Sequence, residues 1–274
     1  MKIAFIGGGN MATALIGGML KQGFAASDVH VIEPFEASRN ALAEKFGIAC
    51  TAAPSAALGD MAVIVMAVKP QTMRAAAQAV APYLSRQLIV SIAAGTRITD
   101  LARWLGKAEQ PHDAIVRCMP NTPALIGMGI TGLFAPLTVS AEQRASAERI
   151  LRAVGDVVWV ASEALLDPVT ALSGSGPAYV FYFLEAMLEA GVKLGLPADD
   201  AKRLALATFI GAAKLAAEST DDFATLRAKV TSKGGTTEAA LKVMMEREVK
   251  ETIGSAMAAA SARGTELGEI LGRD

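Results

Sequence analysis

Two glycine-bearing segments carry the residues best suited to chemistry. Near the start, Gly7-Gly8-Gly9-Asn10-Met11-Ala12 has the spacing G-x-G-x-x-A immediately after an apolar run. A glycine at the first position permits a tight turn, and one at the third lets a diphosphate approach the backbone without a Cβ in the way. The small sixth residue lets the following helix pack close to a sheet, and the start of that helix offers free N–H groups and positive potential to phosphate oxygens. Far along the chain, Thr231-Ser232-Lys233-Gly234-Gly235-Thr236-Thr237-Glu238 places two glycines and several hydroxyls before another helical run. The amides of Gly235, Thr236 and Thr237 are expected to converge on one point there, which suits a carboxylate and leaves a hydroxyl for a neighbouring nitrogen. The plainer alternative is a capped helix start, with Ser232 or Thr236 as the cap. Glu238 suits a helix start in either case, but it has to turn away from a bound anion.

Other polar residues fall at the ends of strand-like runs. Glu33 closes the second such run, where a carboxylate accepts hydrogen bonds from a ribose 2′-hydroxyl and repels a 2′-phosphate, favouring NADH. Arg39 either reaches the same region in favour of NADPH or lies on a solvated helix face. Ala67-Val68-Lys69-Pro70 and Ala94-Gly95 follow the next runs, at the carboxyl ends where open α/β sheets place their ligands. Lys69 suits a solvent-facing charge equally well. Neither His30 nor His112 is placed as a base, so no histidine triad or metal centre is expected. Cys50 and Cys118 lack metal-ligand spacing and are expected to be buried structural thiols in a reducing compartment.

The elements that must hold these residues follow from periodicity. Residues 2–6, 29–32, 63–68, 88–92 and 115–118 read as buried strands separated by helix-length segments, with 129–134 and 157–160 extending the sheet. Met11, Leu15 and Met19 repeat at helical spacing after the first strand. Beyond residue 162 only helices are expected, over 178–194, 199–218 and 238–262, with Glu246 and Lys250 as a supporting pair. The expected architecture is α/β: a Rossmann-like, doubly wound, mostly parallel sheet over 1–161, then an all-α domain over 162–274. The 178–194 segment is apolar almost all round, so it needs cover, which a second copy of the chain through this domain supplies unless the segment is buried within its own subunit.

Composition narrows the partners. The 274 residues are 52% hydrophobic and 19% charged, with formal net charge −1. No basic cluster is present, which argues against nucleic acid or an anionic membrane surface as the main partner. The uncharged stretch 3–20 is interrupted by Gly7-Gly8-Gly9, and 118–141 by Pro120, Pro123 and Pro136. Neither reads as a membrane span, and a cytoplasmic location is expected.

Together, residues 6–12, 67–71, 91–96, 117–123, 171–179 and 231–237 resemble, in the same order, the pyrroline-5-carboxylate reductase family. The resemblance implies NADH- or NADPH-dependent reduction of 1-pyrroline-5-carboxylate to proline, the last step of proline biosynthesis. It further implies a dimer of interlocked C-terminal helices, often assembled into larger rings. The coenzyme set is then Gly7, Gly8, Gly9, Asn10, Met11, Ala12, Glu33, Ala67, Val68, Lys69, Pro70, Ala94, Gly95 and Asn121, the last near the nicotinamide. The substrate set is Ser232, Gly235, Thr236, Thr237 and Asn121, with the Thr237 hydroxyl on the ring nitrogen as the catalytic position. Lys233 stands where some relatives carry proline. Two rival readings remain: a β-hydroxyacid dehydrogenase-like enzyme using Lys233, and a non-catalytic NAD(P)-sensing module.

Overall fold

The computed structural model describes residues 1–106 and 110–273. Contacts divide the chain into two compact units, Met1–Ser175 with Ala258–Asp274, and Gly176–Met257. The first holds β1 (Ile3–Ile6), α1 (Asn10–Lys21), β2 (Val29–Ile32), α2 (Glu36–Phe46), β3 (Ala49–Thr51), β4 (Val63–Met66), α3 (Pro70–Val80), β5 (Leu88–Ser91), α4 (Ile98–Leu105), β6 (Ile115–Met119), β7 (Gly129–Phe134), α5 (Ala141–Leu151) and β8 (Gly155–Trp159). A short α6 (Leu166–Val169) runs into π-helical turns at Thr170–Gly174.

The strands form one sheet in the order β3-β2-β1-β4-β5-β6-β7-β8, parallel throughout except between β6 and β7. Alternate strand residues point to opposite faces, and both faces are covered. Ile3, Phe5, Val63, Val65 and Val90 pack with Leu15, Ile16 and Met19 of α1 on one side. Ala4, Ile6, Ile64, Met66 and Ile89 pack with Met73 and Ala77 of α3 and Leu101 of α4 on the other. The chain leaves β1 towards β2 and returns to β4 on β1's other side, which makes the β1–β4 boundary a topological switch point. Ile6 lies opposite both Ile32 and Met66, and Met66 opposite Ser91. The loops beginning at Gly7, Glu33, Ala67 and Ile92 therefore leave the sheet at one level.

The second unit holds α7 (Gly176–Lys193), α8 (Ala198–Glu218), α9 (Phe223–Lys229), α10 (Thr236–Glu246) and the first turns of α11 (Val249–Gly272). Helix α7 meets α8 at Gly191, where a Cβ would lie 3.2 Å from that of Ala201. The expected all-round cover of 178–194 is not supplied within the chain. No residue of α7 is buried, and Phe181 and Tyr182 are 66% and 72% exposed. The single helix expected over 238–262 is two. Helix α10 closes with the Arg247 and Glu248 amides donating to the Val243 and Met245 carbonyls, and Glu248 turns at φ 52. That break separates the expected Glu246–Lys250 pair, and Lys242 faces Glu246 instead, at 3.9 Å.

Cys118 is buried, and desolvation pushes its thiol far up. Cys50 is only half-buried, because it sits on the short edge strand β3, against the expectation for both thiols. Helix α1 lies close against the turn at 152–154. A Cβ on Gly18 would fall 2.2 Å from the Ala153 carbonyl oxygen. Gly18→Ala is therefore expected to cost about 1–3 kcal/mol through overpacking, read as a lowered urea-unfolding midpoint.

Candidate functional site

The glycine loop is an extension of β1. The Gly7 amide donates to the Ile32 carbonyl at 2.8 Å, and the Ala67 amide donates to the Ile6 carbonyl at 2.8 Å. Gly7 then turns at φ +98, where a Cβ would lie 2.8 Å from the Ala67 oxygen and 3.0 Å from Val68 Cγ1. Glycine is required there both for the turn and for the approach of the neighbouring loop. A Cβ on Gly8 would fall 2.5 Å from Leu42 Cδ1, so α2 backs the loop from behind. Around Gly9 a Cβ would meet nothing within 4 Å, which leaves that side of the loop open.

Gly9 is also the N-cap of α1, with no side-chain cap and no acidic residue in the first turn. The Thr13 amide takes up the Gly9 carbonyl, and the Asn10, Met11 and Ala12 amides are left without helical partners. An exposed glycine, three orphan amides and no competing carboxylate in that turn fit the pyrophosphate of a dinucleotide. Ala12 is buried in the core below, the packing expected of the motif's sixth residue.

Helix α3 starts beside this loop in a similar way. Lys69 is its exposed N-cap and Pro70 its first residue, again with no side-chain cap and no acid in the first turn. Glu33 is 7% exposed. Its Oε2 accepts from the Gly8 amide at 2.8 Å and its Oε1 from the Phe35 amide at 3.0 Å. Arg39 does not lie on a solvated face: its Nη1 donates to the Glu33 and Pro34 carbonyls at 2.9 and 2.7 Å, clipping the turn into α2. Nothing in the sequence distinguishes a guanidinium that binds its own turn from one in water.

Gly95 turns at φ +73 and packs against the C-terminal end of α11, a Cβ there lying 3.2 Å from Leu267 Cβ. This gives it a packing reason to be glycine, while Ala94 beside it is half-buried. Ser91 Oγ and Thr96 Oγ1, which bracket this loop, are buried without a hydrogen-bond partner among the described residues. Asn121 follows β6 and is 9% exposed. Its Oδ1 accepts from the Ile130 amide at 2.9 Å, which fixes the side chain and leaves its NH2 to donate elsewhere.

Arg117, on β6, was passed over in the sequence as a site of charge. It is 5% exposed and pairs with Glu163 at 3.0 Å and Asp167 at 3.7 Å. Both histidines hold structure: His112 Nε2 bonds the Gln87 carbonyl oxygen at 2.8 Å and His30 Nε2 bonds Thr51 Oγ1 at 2.9 Å, with burial lowering the His30 pKa. Among the described residues no three His, Cys, Asp or Glu side chains group to hold a metal.

In the second unit, the turn before α10 departs from expectation in two ways. The Gly235 amide donates to the Ser232 carbonyl at 3.0 Å and so does not join a convergent set. Gly235 itself is the N-cap, with no side-chain cap, so neither Ser232 nor Thr236 closes the helix. The open amides are those of Thr236, Thr237 and Glu238. Glu238 turns back, its Oε2 accepting from the Gly234 amide at 2.6 Å. Thr170, Thr208, Thr231 and Thr252 each bond a carbonyl four residues back. Thr237, second residue of its helix, has no helical carbonyl in that position. Thr237 is half-buried, while Ser232, Lys233 and Thr236 are exposed.

A doubly wound sheet with an open glycine loop at its switch point, joined to a helical unit, places the chain among the dinucleotide-dependent oxidoreductases. Residues 2–95 match the family described as NADP oxidoreductase, coenzyme F420-dependent, and residues 163–267 that described as pyrroline-5-carboxylate reductase dimerisation. The pyrroline-5-carboxylate reductase of Pseudomonas aeruginosa is 48% identical over 99% of this chain and 98% of its own length. That of Pasteurella multocida is 42% identical over 98% of each. The solved structure of the Coxiella burnetii enzyme matches with a TM-score of 0.90 at 40% identity, covering 97% of this chain and 98% of that one. The Plasmodium falciparum enzyme, solved with NADP bound, matches with a TM-score of 0.85 at 29% identity over 98% of each chain. The chain belongs to the pyrroline-5-carboxylate reductase family.

The contrast between the two glycines gives a test. Gly9→Ala is expected to leave the thermal midpoint unchanged, because its Cβ meets nothing, while weakening NADH and NADPH binding roughly tenfold or more. Gly7→Ala is expected to lower both the midpoint and coenzyme affinity. Calorimetry and fluorescence titration on the same preparations read the two effects separately.

Proposed function

We propose that this protein reduces 1-pyrroline-5-carboxylate to L-proline, with NADH or NADPH as hydride donor, as the last step of proline biosynthesis in the cytoplasm. The observation that carries the reading is the uncapped start of α10 behind Gly234-Gly235, in a chain related over its whole length to enzymes of that name. No helix is long and apolar enough to cross a membrane among the described residues.

The roles follow from chemistry. The amides from Gly9 to Ala12 hold the pyrophosphate, Glu33 meets the adenosine ribose, and Ala67–Pro70 with Ala94-Gly95 border the coenzyme. The Asn121 amide group, held by Ile130, orients the nicotinamide end. The Thr236 and Thr237 amides hold the substrate carboxylate, Gly235 keeps that approach free of a side chain, and Ser232 borders it. The Thr237 hydroxyl, with no helical acceptor of its own, bonds the ring nitrogen and relays a solvent proton to it, gaining one as it gives one. When bound, the nicotinamide supplies the hydride. A protonated imine carbon is already electrophilic, so the protein's part is orientation more than acid–base catalysis.

Assembly fits the same reading. The uncovered apolar surface of α7, including Phe181 and Tyr182, is covered in a homodimer built through the helical unit, which assembles further into a ring.

The test follows the absorbance of NADH and NADPH with pyrroline-5-carboxylate as acceptor. Oxidation of neither coenzyme ends the proposal, and loss of a hydroxy-acid activity in Lys233→Ala would replace it with a β-hydroxyacid dehydrogenase. Thr237→Ala is expected to lower kcat/KM roughly 10- to 100-fold, the scale of a hydrogen bond to a charged group. Coenzyme Kd stays unchanged, and Thr237→Ser restores most of the rate.

A further inference from the structure

We propose that Glu33 makes this protein selective for NADH over NADPH, and that Arg39, bonded to the main-chain carbonyls of its own turn, is a latent phosphate ligand. The inference rests on the reading of the Gly7–Ala12 loop as a dinucleotide cradle. On this fold the residue ending the second strand meets the 2′-position of the adenosine ribose. Here that residue is a carboxylate held by two bonds, Oε2 on the Gly8 amide and Oε1 on the Phe35 amide. With its rotamer fixed at both oxygens and its body buried, it cannot swing aside for a larger anion.

Each oxygen keeps further acceptor capacity. Two vicinal hydroxyls, which donate, satisfy that capacity. A 2′-phosphate removes one of those donors and brings a multiple negative charge against a fixed one. The cation that should offset that charge is directed elsewhere, since Arg39 Nη1 bonds the Glu33 and Pro34 carbonyls. The same turn nonetheless holds the parts of a phosphate site: two backbone amides occupied only by Glu33, and a half-buried guanidinium with nitrogens beyond Nη1. Taking away the carboxylate frees the amides and leaves the guanidinium as the dominant charge.

The experiment measures direct binding. NADH and NADPH are titrated into the purified oligomer by calorimetry, with kcat/KM for each coenzyme as a second readout. Four forms are compared: wild type, Glu33→Ser, Glu33→Gln, and Glu33→Ser combined with Arg39→Ala. Wild type is expected to bind NADH about tenfold or more tightly than NADPH, the scale of one charge-assisted hydrogen bond. Glu33→Ser should invert the preference, and its NADPH affinity should weaken as salt rises. Adding Arg39→Ala should remove the gain. Glu33→Gln keeps an acceptor oxygen without the charge, and it should narrow the ratio even if the serine variant folds poorly. Wild type binding NADPH as tightly as NADH, or Glu33→Gln weakening both coenzymes equally, would overturn the selectivity. An inversion that persists without Arg39 would overturn the latent-ligand role. Wild type binding neither coenzyme would instead overturn the dinucleotide reading beneath it.

Discussion

A backbone without a side chain at residue 7 lets two neighbouring parallel strands end in contact. The Ala67 carbonyl oxygen occupies the space a Cβ on Gly7 would need, 2.8 Å away, and Val68 lies against the same point. Because β1 and β4 are adjacent and in register, that contact draws the loops after both strands into one crevice. It also aims α1 and α3 at that crevice, α1 with its first turn open. Several other helix starts are closed by the chain itself. Ser140 and Gln143 form a capping box on α5, Asp222 caps α9, and α2, α4 and α8 carry acids in their first turns. Helices α1 and α3 have neither device. Leaving orphan amides uncovered costs stability that a simple cap would recover. The cost falls at the switch point, where an anionic ligand would take the place of the cap.

The rest of the first unit keeps that edge of the sheet rigid. Arg117 is buried near the end of β6, and its removal from water is offset by Glu163, which also accepts from the Ile98 amide at the start of α4. Asp167 faces the same guanidinium and accepts from Thr265 of α11. A buried ion pair is weak evidence for net stability, but breaking it leaves uncompensated charge, so it strongly disfavours other arrangements of the segments it joins. This network ties β6, α4, α6 and the end of α11 into one body.

What could be read from the sequence follows from how much each feature depends on local pattern. The alternation of four-residue apolar runs with helices gave the doubly wound class, and G-x-G-x-x-A located the cradle because strand, turn and helix are contiguous there. Strand β3 escaped notice because three residues at a sheet edge, Ala49 to Thr51, carry no period and little apolar bulk. The break at Glu248 escaped because a left-handed residue is announced by glycine or asparagine, and glutamate announces nothing. Gly235 was assigned a ligand-facing amide, but the turn's own closure onto Ser232 takes it. Conversely, the apolar character of 178–194 was visible as composition, and the exposed Phe181 and Tyr182 show that one chain does not absorb it.

The two candidate anion positions share a construction. Gly9 before α1 and Gly235 before α10 are both N-caps without side chains, so main-chain N–H groups are what each start presents to an anion. Such donors carry no proton that can be lost near neutral pH and no rotamer that must be ordered on binding. A reaction whose acceptor is an imine needs little more: the carbon becomes electrophilic once nitrogen is protonated, and a hydroxyl suffices to hold that nitrogen. The histidines are committed to Gln87 and Thr51, and Cys118 is kept protonated by its burial. These three side chains are thus held in structural work, and the reading proposed above asks the protein for orientation in hydride transfer rather than for a base.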